Sequence, residues 1–82
     1  MRVLVVDDDE TAQLIARKIL KSYGYEVILA QNGEEALKIL TQEKIQIVIS
    51  DWNMPEMDGI QLCQAIRSAP IIGYIYIILV TS

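Results

Sequence analysis

Acidic and hydroxyl side chains fall where runs of β-branched residues stop. Val3-Leu4-Val5-Val6 ends in Asp7-Asp8-Asp9-Glu10, Ile45-Gln46-Ile47-Val48-Ile49-Ser50 ends in Asp51, and Ile75–Val80 ends in Thr81-Ser82. As strands of one parallel sheet, these runs place Asp7, Asp8, Asp51 and Thr81 at its carboxyl edge, where open α/β sheets bind ligands. Carboxylates gathered there raise one another's pKa unless a cation joins them. An all-oxygen set without His or Cys suits a hard ion such as Mg²⁺, which takes one or two carboxylates and completes its shell with water and phosphate. A carboxylate beside such an ion is a plausible nucleophile toward phosphorus, giving an aspartyl phosphate. The Thr81 hydroxyl could then donate to a phosphoryl oxygen. Each residue also has a plainer reading. Asp7–Glu10 could serve only to cap and complement a helix, Asp51 could be a turn residue, and Asp58 before Gly59 reads as an N-cap rather than a ligand.

The elements that must position these groups follow from the period of the apolar residues. Val3–Val6 has no alternation, as expected of a strand buried on both faces. From Thr11 the period becomes helical, with Ala12, Ile15, Ala16, Ile19, Leu20 and Tyr23 on one face. Lys18, Lys21 and Gly24 stop that helix. Glu26–Ala30 reads as a second strand. Asn32 caps the next helix, with Glu35 at capping-box spacing and Ala36, Leu37 and Leu40 on its apolar face. Ile45–Ser50 is a third strand, and Asp58-Gly59 opens a third helix through Leu62, Cys63 and Ile66. Pro70 and Gly73 break it before a fourth strand at Ile75–Val80. Met54, Met57 and Cys63 read as packing residues, Tyr74 and Tyr76 as core or rim, and Trp52 as a partly exposed lid beside Asp51. The order βαβαβαβ with short connections predicts an α/β domain with a parallel sheet.

Composition narrows the function classes. Eighty-two residues fit a single domain. Seven basic residues against 11 acidic ones, net charge −4, exclude binding to a polyanion driven by counterion release. The absence of His excludes histidine-dependent metal sites and Ser–His–Asp triads. One cysteine cannot form an internal disulfide, so a reducing, cytoplasmic compartment is expected. No apolar run approaches bilayer length, and Met1-Arg2 leads into the first strand without a cleavage pattern. Neither a nucleic acid nor a membrane is therefore expected as a partner.

Three segments carry a family resemblance: Val3–Asp8, the element Ser50-Asp51-Trp52-Asn53-Met54-Pro55-Glu56-Met57-Asp58-Gly59, and Leu79-Val80-Thr81-Ser82. Together they resemble the receiver domain of two-component response regulators, and the resemblance covers the whole chain. It implies a flavodoxin-like, doubly wound parallel sheet of strand order 2-1-3-4. It further implies Asp51 as phosphoacceptor, Asp8 as the direct acidic Mg²⁺ ligand, Asp7 acting through water, and Asn53 giving its backbone carbonyl. Thr81 matches the switch hydroxyl. The implied phosphodonor is a His-phosphorylated sensor kinase or phosphotransfer protein. The domain would not be an enzyme beyond self-catalysed phosphotransfer and dephosphorylation.

A full receiver continues through a fourth helix, a fifth strand bearing an essential Lys and a fifth helix. The 82 residues correspond to about the first two thirds, so phosphorylation is expected to be slow without the Lys charge. One rival reading is a phosphorylation-incompetent fragment that acts only as a self-association module. Another is a phosphohydrolase with an aspartyl intermediate, disfavoured because no second acid or base follows Asp51 closely. Right-handed crossovers put the first helix alone on one sheet face. Strands three and four should then be bare on that side, over a footprint of about 200 Å². Leaving that footprint wet forfeits roughly 5 kcal/mol, which predicts a dimer or higher assembly through the fourth strand and the bare face.

Overall fold

In a computed structural model, residues 1–54, 57–69, 71 and 73–80 are described. Four strands alternate with three helices: β1 (Arg2–Val6), α1 (Glu10–Ser22), β2 (Glu26–Ala30), α2 (Gly33–Gln42), β3 (Ile47–Asp51), α3 (Gly59–Ser68) and β4 (Tyr76–Val80). The strands form one parallel sheet in the order β2-β1-β3-β4. The expected fold is thus present, with β1 at the centre and buried from Val3 to Val6.

Two strands begin later than the apolar runs suggest. Ile45 and Ile75 are buried but precede β3 and β4. Gln46 nonetheless extends the ladder: its backbone bonds to Arg2 and Tyr76, and its side-chain oxygen accepts from the Arg2 amide at 2.9 Å.

Each helix starts at a polar cap. The Asp9 side chain accepts from Thr11 N–H, Asn32 from Glu35 N–H, and Asp58 from Gln61 N–H. Asp58 and Gln61 complete a reciprocal capping box. At Asn32 the Glu35 backbone supplies the bond that the spacing anticipated. Past the end of α1, Gly24 takes φ 88°, a left-handed conformation that costs glycine little.

The main core lies between the sheet and α2 and α3. Leu4, Val6, Ala30, Ala36, Leu40, Val48, Leu62 and Ile66 meet there with Met54, and Met57 packs against them. Alternation sends Val3 and Val5 to the opposite face, which α1 covers over β1 and β2. On that side the predicted helix face is corrected. Ile15, Ile19 and Tyr23 are exposed, and the residues turned to the sheet are Gln13, Ala16 and Leu20. The reason is geometric: the six apolar positions span a wider arc than one sheet contact can cover. Tyr74 and Tyr76 are rim residues, stacked edge to face with centroids 5.1 Å apart, and Arg67 lies 4.9 Å over the Tyr74 ring. No helix among the described residues is long and apolar enough to cross a membrane.

Candidate functional site

The site is built on the ends of β1 and β3, which pair directly in register from Val3↔Ile47 to Val6↔Ser50. The residues that follow Val6 and Ser50 therefore emerge side by side. One carboxylate oxygen each from Asp7, Asp8 and Asp51 lies within 4.8 Å of the others. Asp51 is buried, Asp7 half-buried and Asp8 exposed.

Local hydrogen bonds fix each of these groups. Asp7 Oδ1 accepts from the Asp9 amide at 2.9 Å, which tightens the turn between β1 and α1. Asp9 is committed to capping α1. Asp8 is left with its carboxylate unengaged by hydrogen bonds among the described residues. Asp51 Oδ1 accepts from the Asn53 amide at 3.2 Å, so Asn53 also adjoins the site through its backbone. Behind Asp51 the loop is pinned by Trp52 N–H donating to the Val80 carbonyl and Gly59 N–H donating to the Trp52 carbonyl. Gly59 relieves a close approach there. A Cβ at that position would come within 3.1 Å of the Asp51 carbonyl oxygen and 3.2 Å of Trp52 Cα.

One contributor had no counterpart among the residues singled out from the sequence. Gln13 is buried, and its Nε2 donates to the carbonyls of Asp7 at 2.7 Å and Ala30 at 2.9 Å. It ties α1 to the ends of β1 and β2 at the point where the acidic turn begins. The available signal was its phase, three residues before Ala16 and seven before Leu20, on the sheet-facing line. Trp52 is partly exposed next to Asp51, as expected of a residue beside the site. Thr81 lies outside the described residues.

The site is electrostatically uncompensated. Among the described residues both ion pairs belong to Arg2, with Glu26 and Glu43, away from this edge. Burial pushes the Asp7 carboxyl above its ordinary value, the Asp9 amide opposes this, and the charges of Asp51, Asp8 and Asp9 raise it further. Three convergent carboxylates plus a neighbouring backbone fit a hard, oxygen-seeking divalent cation, which would supply the missing positive charge.

The chain matches the response regulator receiver domain family over residues 3–82. It is 44% identical over 71 residues to a probable chemotaxis protein CheY of Rhizobium etli, covering 85% of this chain and 55% of that protein. It is 41% identical over 66 residues to the alkaline phosphatase synthesis transcriptional regulatory protein PhoP of Bacillus subtilis, covering 80% of this chain and 28% of that protein. A response regulator receiver protein from Pseudomonas putida superposes with a TM-score of 0.90 at 33% identity, over 98% of this chain and 66% of that one. The response regulator TrrA of Thermotoga maritima, solved in complex with Mg²⁺-BeF, gives 0.88 at 38% identity, over 98% of this chain and 68% of that one. The chain thus spans about half to two thirds of the chemotaxis proteins it matches. It belongs to the receiver domain family of two-component response regulators.

Proposed function

We propose that residues 1–82 form one receiver domain that accepts a phosphoryl group on Asp51 from a sensor histidine kinase or a phosphotransfer protein in the cytoplasm. The convergence of Asp7, Asp8 and Asp51 from two paired strand ends carries this reading. In the transfer, an Asp51 oxygen attacks phosphorus and forms the O–P bond. The N–P bond of the phosphohistidine breaks, and the imidazole leaves with the electron pair and is protonated. The Asn53 amide orients the Asp51 carboxylate for that attack. Asp8, Asp51 and the Asn53 carbonyl would hold Mg²⁺, with Asp7 acting through water. Bound there, the ion offsets negative charge on the phosphoryl oxygens. Thr81, directly after β4, is assigned the switch hydroxyl that turns toward the phosphoryl group.

Incubation with a small acyl phosphate and Mg²⁺, followed by intact-mass spectrometry, tests the acceptor. One PO₃ increment should appear slowly and be absent in Asp51→Asn; an adduct that persists in that variant would refute the assignment. The metal is tested by titrating Mg²⁺ against the fluorescence of Trp52, the single tryptophan. A flat signal, or an undiminished response in Asp8→Ala, counts against the ligand set.

A further inference from the structure

The described part of the loop between β3 and α3 is held in two ways. Hydrogen bonds fix its ends: Trp52 N–H donates to the Val80 carbonyl, Gly59 N–H to the Trp52 carbonyl, and Asn53 N–H to Asp51 Oδ1. Among the described residues, no hydrogen bond joins this loop to β1 or α2, although Asp7 and Asp8 of the site follow β1. Packing takes that part. Met54 is buried in the core, and Met57 packs against the same cluster with its side chain across Gly33, the first residue of α2. Gly33 is buried, and its backbone is helical and not left-handed, so its conformation asks nothing of glycine. Space does. A Cβ at Gly33 would overlap Met57 Sδ and lie 3.0 Å from its Cγ and 3.2 Å from its Cβ. Rotation of the flexible side chain moves the sulfur and Cγ aside. Met57 Cβ moves only with the loop backbone, by a few tenths of an ångström. The Gly33 seat is in turn tied to the acidic turn. The Ala30 carbonyl accepts from Asp7 N–H at 3.0 Å and from Gln13 Nε2 at 2.9 Å, and from Ala30 the chain passes through Gln31 to the Asn32 cap and Gly33.

We propose that Gly33 and Met57 are positioning residues for the metal: Met57, seated where a Cβ of residue 33 would stand, sets the place of the Asn53 carbonyl relative to Asp8 and Asp51. The inference rests on the receiver reading above, in which those three groups hold Mg²⁺. The ion demands near-octahedral ligands at about 2.0–2.1 Å, so a loop shifted by a few tenths of an ångström presents its carbonyl outside that range. Met57 follows Asn53 by only four residues, which leaves little chain to absorb the shift. Helix propensity argues the other way, since alanine favours a helix over glycine. Seen locally, Gly33→Ala should only strengthen α2.

Mg²⁺ affinity is read from the midpoint of the Trp52 fluorescence titration, at a temperature where circular dichroism shows each variant folded. Gly33→Ala should raise the dissociation constant about tenfold, the lower end for groups that orient metal ligands. Met57→Ala should raise it by a similar factor. Adding Gly33→Ala to Met57→Ala should change it no further, because the new Cβ then meets vacated space. Ile66→Val, a core change on α3 outside the loop, separates positioning from stability: its melting temperature should fall while its Mg²⁺ affinity stays that of the parent. A parent that binds no Mg²⁺ refutes the metal reading and this inference with it. With a parent that binds, an unchanged constant in Gly33→Ala or Met57→Ala overturns the seat and leaves the metal reading standing. So do additive effects in the double variant, or equal weakening in Ile66→Val. If Gly33→Ala does not fold, Met57→Ala and Ile66→Val decide between them.

Discussion

Asp7 shows how one carboxylate carries the cost of the site. Its folded-state pKa lies above the unfolded value of 3.8, so the folded chain binds that proton more tightly than the unfolded chain. Stability from this group is therefore greatest below the unfolded value and declines as pH rises through the window up to the folded one. At neutral pH Asp7 destabilises the metal-free domain. Asp7→Asn should raise the melting temperature at pH 7, by about 4–8 °C for each kcal/mol gained in a domain of this length. The gain should vanish at acid pH, and saturating Mg²⁺ should narrow it by stabilising the parent more than the variant. Thermal melts at two pH values, with and without Mg²⁺, check the sign. Gln13→Ala acts in the opposite direction. It removes the donor shared by the Asp7 and Ala30 carbonyls. Ala30 keeps the Asp7 amide as donor, so the loss falls on the part-buried Asp7 carbonyl, and a hydrogen bond lost there costs about 0.5–1.5 kcal/mol. Urea unfolding should show that loss, and the Mg²⁺ response of Trp52 should weaken as the acidic turn loosens.

At the level of elements, the third helix and the third strand determine each other's ends. Asp58 and Gln61 close a capping box, and Gly59 lets the helix start against the backbone of Asp51 and Trp52. Asp58→Ala should cost about 1 kcal/mol, the usual value of a lost cap. Gly59→Ala should cost more, about 1–3 kcal/mol, because the obstructing atoms include the Asp51 carbonyl and Trp52 Cα as well as a leucine side chain. The two variants separate in function as well as stability. The cap variant should keep Asp51 phosphorylation once folded, whereas Gly59→Ala should slow it by displacing Asp51. Denaturant unfolding paired with the intact-mass assay checks both.

For the molecule as a whole, the main core lies on the side of the sheet that faces α2 and α3. Leu4 sits fully buried on that side at the centre of the core. Leu4→Ala should cost about 2–5 kcal/mol, a large part of the roughly 5–15 kcal/mol that holds a small domain folded. Circular dichroism should show it largely unfolded at 37 °C.

Local chemistry made much of this legible in advance. Strand ends at Asp7 and Asp51, caps at Asn32 and Asp58, and the stop at Gly24 are decided by a few neighbouring residues, so the chain displays them directly. The βαβ repeat and the side on which α1 lies follow from handedness, which depends on L-residues rather than on any one side chain. Tertiary structure decided what depends on distant partners. Asp7 and Asp8 meet Asp51 because β1 pairs with β3 across more than forty residues, an adjacency that no local window encodes. The buried line of α1 runs through Gln13, Ala16 and Leu20 rather than the whole apolar set, because a helix offers a flat sheet only a narrow stripe. Ile15, Ile19 and Tyr23 have the same residue character as a core face. Which of the apolar positions meets the sheet is set by the rotation of α1 on β1 and β2, and that rotation is a property of the packed helix alone.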